Sequence, residues 1–146
     1  MRGFSLVELM VTVGLFSLLC LVAFPNILRF AENGNLRAAT RDITTDIATM
    51  KETAMNRGAD CQITFNAGAN NFVLTTPDGT NVVKTPTAFS PSIVITGAVF
   101  GGGPTMTFQP RGTASMGTVT LQNSRGSVAT ITVNITGKTH AQFNMQ

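Results

Sequence analysis

The feature that most constrains this chain is an apolar run from Phe4 to Phe24, close to the amino terminus. At a helical rise of about 1.5 Å per residue, these roughly 21 residues would form a helix about 30 Å long, which matches the hydrocarbon core of a bilayer. The cation Arg2 precedes the run, so the positive-inside tendency predicts that Arg2 stays cytoplasmic and the rest faces outward. The run therefore predicts a membrane anchor followed by a single outer domain.

One carboxylate, Glu8, interrupts this run. A charged side chain at the centre of a spanning helix costs about 2.5–3.5 kcal/mol, so it is by default functional and needs a partner. A secretory signal peptide fits poorly, because the run is too long and Val22-Ala23-Phe24-Pro25 is a weak cleavage site. An ordinary single-span anchor does not account for Glu8.

The segment Gly3-Phe4-Ser5-Leu6-Val7-Glu8-Leu9 resembles the N-methylation site of type IV prepilins and type II secretion pseudopilins. The resemblance implies that residues 1–3 are a leader peptide, cut off between Gly3 and Phe4 by a prepilin peptidase, and that Phe4 is then N-methylated. Glu8 stands where the family carries its glutamate, and Pro25 stands where the family often has a helix-kinking proline. Residues 4–31 would then be a transmembrane and assembly helix.

The resemblance also gives Glu8 a partner. Cleavage exposes the amine of Phe4, and the Phe4 amine of a neighbouring subunit is an available cation for Glu8. Neutralisation of the two charges in a low dielectric would favour docking of each new subunit at one axial offset. Gly3, Phe4, Glu8 and Pro25 are therefore the predicted processing and assembly residues.

Residues 32–146 are predicted to form the outer globular domain. An amphipathic helix is expected at about 36–57, after a weak point at Asn33-Gly34-Asn35, and Gly58 is expected to cap its end. The helix has an apolar face whose members recur at steps of three and four: Leu36, Ala39, Ile43, Ile47, Met50 and Ala54. This face is more consistent with core packing than with a cofactor groove.

From about residue 60 to 146 the pattern becomes that of short strands divided by turns. Turns are predicted at Pro77-Asp78-Gly79, Gly101-Gly102-Gly103-Pro104, Asn123-Ser124-Arg125-Gly126 and Thr136-Gly137. Alternating apolar residues mark the strands: Cys61-Ile63-Phe65, Phe72-Leu74, Ile93-Ile95, Met106-Phe108, Val119-Leu121, Ile131-Val133-Ile135 and Ala141-Phe143. The predicted fold class is α+β, with a long N-terminal helix packed on antiparallel β-sheets.

The C-terminal half is similar to the minor pseudopilin group that includes type II secretion protein H and fimbrial protein T. The similarity lies in Thr107-Phe108-Gln109-Pro110-Arg111-Gly112, Gly117 to Leu121, Thr130 to Ile135 and Gly137-Lys138. It implies a pilin-like helix against two β-sheets and a minor subunit at or near a filament tip.

One branch of that group resembles DNA-uptake proteins, which hold phosphates with a Gly-Arg-x-Arg segment. Here the matching stretch is Gly137-Lys138-Thr139-His140, so Lys138 keeps a charge without the bidentate fork of arginine. Arg111 and Arg125 are candidates to join Lys138 in a phosphate-binding patch. A solvated hairpin is the simpler interpretation, and Arg111 can equally brace the Pro110-Gly112 turn.

Other chemistry has little support in the sequence. His140 is the only histidine, and no acidic calcium loop or phosphate loop is present, so no catalytic residue, metal site or cofactor is expected. Asp42 and Asp46 are predicted to lie on a hydrated helix face. Cys20 and Cys61 are expected to be free thiols, because an anchored Cys20 cannot reach Cys61.

The sequence therefore predicts a structural minor pilin or pseudopilin. It is expected to be held in the bacterial inner membrane with its domain in the periplasm, and then assembled into a secretion or pilus-like filament at the cell surface. Its expected partners are other pilin or pseudopilin subunits, the prepilin peptidase and the membrane. Two alternatives stay open: a DNA-binding minor pilin at a filament tip and a major filament subunit.

Overall fold

The computed structural model describes residues 5–146, without the side chains of residues 22–26. Helix α1 spans Leu6–Arg57 and is followed by eight strands and a short 3₁₀ turn at Pro86–Ala88. The chain divides into two compact units between Ala31 and Glu32. The strands are β1 Cys61–Asn66, β2 Asn71–Thr75, β3 Asn81–Lys84, β4 Val94–Phe100, β5 Thr105–Phe108, β6 Gly117–Gln122, β7 Val128–Val133 and β8 Thr139–Asn144.

The helix continues through Asn33, Gly34 and Asn35, so the predicted weak point there is wrong. A glycine inside a helix costs only about 1 kcal/mol relative to alanine, and tertiary contacts offset that cost here. The Asn33 carboxamide oxygen accepts a hydrogen bond of 3.1 Å from Asn123 Nδ2, and Leu36 is completely buried. Pro25 is one of the residues whose side chains the structure does not describe, so the kink expected there stays a prediction.

The apolar face of α1 after residue 35 is confirmed as a core face. All six of its predicted members are buried, and none is more than 4% exposed. Thr40, beside this face, is buried, and its hydroxyl donates back to the Leu36 carbonyl at 2.7 Å, so it is not left unpaired. The helix ends at Arg57, and Gly58 takes the predicted left-handed conformation with a φ of 65°.

The strands form two four-stranded antiparallel sheets. Sheet A has the order β3-β2-β1-β5, and sheet B has the order β4-β6-β7-β8. In sheet A, the predicted turn at Pro77-Asp78-Gly79 joins β2 to β3, and Gly79 has a φ of 81°. In sheet B, tight turns at residues 123–126 and 134–137 join β6 to β7 and β7 to β8. The predicted strand residue Ile135 instead lies in the second of these turns and is 62% exposed.

The core lies where α1 and the inner faces of both sheets meet. Alternate residues of β1, β2, β6 and β7 are buried, as the sequence pattern predicts for half-covered strands. The two sheets also touch directly, because the rings of Phe65 in β1 and Phe100 in β4 stack with their centroids 5.8 Å apart. The predicted α+β, pilin-like class is thereby confirmed.

The structure also confirms two free cysteines, an exposed Cys20 and a buried Cys61. Burial raises the pKa of the Cys61 thiol. Cys61 therefore acts as a small apolar core residue at the start of β1.

Candidate assembly site

The first candidate site is the part of α1 that contains Glu8. The large apolar side chains between Leu6 and Leu21 are exposed, with exposed fractions from 56% at Val11 to 75% at Leu21. Contiguous apolar surface on this scale marks contact with lipid or with another protein. The segment therefore carries a surface that the chain itself does not cover.

Glu8 lies in the first turn of α1, where the positive end of the helix dipole favours a carboxylate. It is exposed and is the only charged residue between Phe4 and Asn26. The neighbouring hydroxyls bond to the helix backbone instead: Thr12 donates to the Glu8 carbonyl at 2.9 Å, and Ser17 donates to the Val13 carbonyl at 2.9 Å. These hydroxyls are satisfied within the helix, whereas no residue from 5 to 146 forms a salt bridge with the Glu8 carboxylate.

The other predicted processing residues cannot be located in the same way. Gly3 and Phe4 lie outside the described residues, and the side chain of Pro25 does as well. Their roles remain predictions from the sequence.

Across the parts of the chain that the structure describes, none of the helices combines the length and apolarity that crossing a membrane requires.

In the second unit, polar contacts fix α1 against the loops of both sheets. The Glu32 carboxylate accepts a hydrogen bond from Ser92, Lys51 Nζ donates to the Thr136 carbonyl at 2.8 Å, and Arg57 pairs with Asp78 at 2.7 Å. Hydrogen bonds from Thr76 and Arg57 hold the pKa of the Asp78 carboxyl well below its ordinary range. These contacts are spread along the helix from its Glu32 end to its last residue.

Asp46 is a largely buried acid, so the prediction that it lies on a hydrated helix face is wrong. Lys84, the last residue of β3, donates to both Asp46 oxygens at 2.7 and 2.8 Å and lies 3.7 Å from Asp42. The Asp46 side chain is only 13% exposed. Burial raises the pKa of Asp46 against the opposing effect of Lys84, while the hydrogen bond to Asp46 raises the pKa of Lys84.

The three predicted phosphate-binding cations do not lie together. Arg125 is in the turn whose Asn123 side chain bonds to Asn33, whereas the turn before Lys138 packs against Lys51. Asn33 and Lys51 are separated by 18 helical residues, or about 27 Å along α1. Arg125 is therefore remote from Lys138.

Arg111 does lie near the Lys51 end of the domain. Its neighbour Gly112 packs so closely on α1 that a side chain there would meet Met55 Sδ at 3.2 Å, and one at Gly137 would meet Lys51 Cδ at 2.9 Å. Arg111 and Lys138 are thus carried by adjacent loops, and both are exposed. A DNA-binding role for these residues stays a prediction.

Sequence reasoning missed two features of the domain. One is the Lys84–Asp46 pair, whose only sequence signal was the four-residue spacing of Asp42 and Asp46. The other is a groove of about 470 Å³ between α1 and β8, lined by Arg37, Thr40, Arg41, Thr44, Ala141 and Phe143. Within the described residues, no three potential metal-ligating side chains cluster together.

Comparison with protein families gave two matches that together span most of the chain. The family model for the type II transport protein GspH matches residues 39–137, which is more than half of the chain. The model for the prokaryotic N-terminal methylation motif matches residues 1–24. Comparisons with curated proteins and with solved structures gave no match.

Proposed function

The chain belongs to the type II transport protein GspH family and is a minor pseudopilin of a type II secretion or type IV pilus-like filament, and from this premise we propose that it enters the filament through a charge pair between Glu8 and the N-terminal amine of a neighbouring subunit. Cleavage between Gly3 and Phe4 would create that amine on each processed subunit. The apolar side chains on either side of Glu8 would supply the rest of the contact.

The observation that carries this proposal is that Glu8 forms no salt bridge with any residue from 5 to 146. It is an exposed acid in a segment whose other large side chains are apolar and exposed, and whose nearby hydroxyls bond to their own backbone. A carboxylate in such a segment is costly in lipid, and the cost falls when a cation approaches in a low dielectric. Membership of a family with an N-terminal methylation motif supports an amine at the processed end as that cation.

The same segment is proposed to hold the precursor in the inner membrane before assembly. The sequence from Phe4 to Phe24 is apolar apart from Glu8 and a few small polar residues, and Arg2 precedes it. In this arrangement the domain from residue 32 onward faces the periplasm. Cleavage by a prepilin peptidase at Gly3 would then occur on the cytoplasmic side, after which the helix moves from lipid into the filament.

Glu8→Ala tests the pairing in cells that carry the complete filament system. We expect normal membrane insertion and normal loss of residues 1–3, but incorporation into filaments reduced at least about tenfold, which corresponds to about 1.4 kcal/mol of lost docking energy. The mass of the purified chain reports cleavage, and its amount in sheared filaments reports incorporation. Glu8→Asp retains the charge and is expected to retain more incorporation than Glu8→Gln.

Two controls make this experiment specific. Thr12→Val replaces a hydroxyl that bonds to the helix backbone by a methyl group, so this variant is expected to assemble normally. Gly3→Leu places a side chain at the cleavage site and is expected to give an unprocessed, unassembled chain. Filaments of Glu8→Ala in wild-type amounts would contradict the charge pair, even if cleavage after Gly3 is observed.

A further inference from the structure

The two sheets have four outer edges, and three of them are protected against pairing with another strand. Native proteins block such edges with short strands, bulges, prolines, charges or covering loops. The outer edge of β5 is covered by its own loop, since Ser115 N–H donates to the Thr107 carbonyl at 2.9 Å and Ala114 bridges to Phe108. This edge is closed to a partner.

The edges formed by β4 and β3 are protected in other ways. A bulge between Ile95 and Gly97 disrupts β4, and the Asn70 side chain bonds to both the Ile93 carbonyl and the Ile95 N–H, at 2.9 and 2.8 Å. Strand β3 has only four residues, and it ends at Lys84, which is fixed to Asp46. Pro86 follows two residues later.

Strand β8 is different. It has six residues, pairs with β7 without a register shift, and contains no proline, lysine or acid. Within the described residues, no side chain or loop hydrogen-bonds to its outer edge. This edge of sheet B is the one that the fold leaves free for another strand.

The pairing pattern identifies the free groups on β8. Asn134 N–H donates to the Lys138 carbonyl at 3.1 Å, so residues 134 and 138 form a hydrogen-bonded pair at the start of the ladder. Hydrogen-bonded and non-hydrogen-bonded pairs alternate along an antiparallel ladder. Thr139, Ala141 and Phe143 therefore direct their backbone N–H and C=O groups away from β7, toward the open edge.

A groove lies beside this edge and is positively charged. Arg37 and Arg41 are four residues apart on α1, so they project from the same helix face, and both are exposed. The Arg37 guanidinium lies 5.7 Å from the centroid of the Phe143 ring, which is 40% exposed. No carboxylate of the described residues lies within salt-bridge distance of either arginine.

We propose that the β8 edge and the adjoining groove bind an extended, acid-bearing segment of a different filament protein, which extends sheet B as a fifth strand. Its backbone would bond to the free groups of β8, and its inward-facing Asp or Glu side chains would pair with Arg37 and Arg41. A second copy of this chain does not fit, because none of its eight strands contains an acidic residue. The inference rests on the proposed function only in taking the partner to be a filament protein.

A photo-crosslinking amino acid at Gln142 tests this in the full-length chain, in cells that carry the whole filament system. We expect an adduct with a different protein, and mass spectrometry should place the attachment in an acid-bearing extended segment. Ala141→Pro removes an outward N–H, which an edge strand tolerates, and should reduce the adduct at least about tenfold. Ala141→Val keeps that N–H and should retain the adduct.

The helix side of the groove provides a second set of variants that do not alter the strand. Arg37→Glu with Arg41→Glu should abolish the adduct, whereas Arg125→Glu at the far end of the domain should leave it unchanged. An adduct with nucleic acid, with a second copy of this chain, or with a protein but insensitive to these substitutions would overturn the proposal. Incorporation into filaments is measured in the same cells. If the chain enters filaments at the normal level but gives no adduct at Gln142, the β8 interface alone is rejected. If the unsubstituted chain does not enter filaments, the proposed function is rejected.

Discussion

The two halves of α1 differ in what covers their apolar residues. In the half before residue 32, Leu15 is 58% exposed, whereas in the half after it Ile47 is completely buried against the sheets. Both halves are helical, so local structure does not separate them, although the half after residue 32 carries many more charged residues. What separates them is that the chain covers only one with its own strands. The uncovered half is available to lipid and to other subunits, and the covered half stabilises the domain.

Truncating one residue from each half gives the sharpest test of this comparison. Ile47→Ala should lower the free energy of unfolding by about 2–5 kcal/mol, since it removes a fully buried side chain and leaves a cavity. Leu15→Ala should change it by no more than about 0.5 kcal/mol. Denaturant unfolding of the full chain in mild detergent measures both. Equal losses would mean that the first half also contributes to the folded core.

A pair of glycines extends the comparison to backbone packing. A Cβ on Gly117, at the start of β6, would lie 2.0 Å from the Val99 carbonyl oxygen, so Gly117→Ala must separate β4 from β6. We expect a loss of about 1–3 kcal/mol. A Cβ on Gly14 would have no atom within 4 Å, so Gly14→Ala should leave the free energy of unfolding unchanged or raise it by up to about 1 kcal/mol. Denaturant unfolding measures both variants. A lower free energy of unfolding for Gly14→Ala would contradict the exposure of that segment.

Lys84→Met tests the partly buried ion pair with a side chain of similar length. The expected loss at neutral pH is about 1 kcal/mol, because Lys84 is 35% exposed and solvent screens the pair. The pKa of Lys84 is raised in the folded state, so its contribution is complete below the ordinary lysine pKa of about 10.4 and is lost as the pH rises further. The difference between wild type and variant should therefore shrink in alkali. A constant difference would indicate lost packing instead of lost charge.

Asp78→Asn should have the smallest effect of the series, since both partners of the Asp78–Arg57 pair are about half exposed. The pKa of Asp78 is lowered in the folded state, so its stabilising contribution is present above the ordinary aspartate pKa of about 3.9 and is lost as the pH falls. Thermal unfolding at neutral pH and in acid measures this. A difference between wild type and variant that grows in acid would contradict the assignment.

Much of the domain could be predicted from the sequence because its signals are local. The spacing of three and four residues from Leu36 to Ala54 indicates which face of the helix is buried. The alternation in β1 and β2 does the same for the strands. Turn residues such as Gly79 also carry their own conformational preference. The break expected at Gly34 was wrong because packing around Leu36 and the Asn33–Asn123 bond outweigh a local propensity.

What the sequence did not reveal depends on residues far apart in the chain. Lys84 and Asp46 are 38 residues apart, and only the order of the strands brings them together. The separation of Arg125 from Lys138 likewise follows from their positions at opposite ends of β7. The groove at β8 depends on which strand ends the sheet, and an alternating pattern alone does not specify that. The role proposed for Glu8, in contrast, rests on a local signal, because it follows from the spacing between Glu8 and Gly3 in the sequence.

The contrast between an exposed Cys20 and a buried Cys61 gives the chain a natural reporter of its own integrity. A maleimide dye should attach to Cys61 only when the domain opens, whereas labelling of Cys20 does not depend on the fold of the domain. The stoichiometry of labelling then counts the open fraction during purification without any engineered tag. Because Cys61 belongs to the unit that begins at Glu32, its labelling reports the opening of that unit alone.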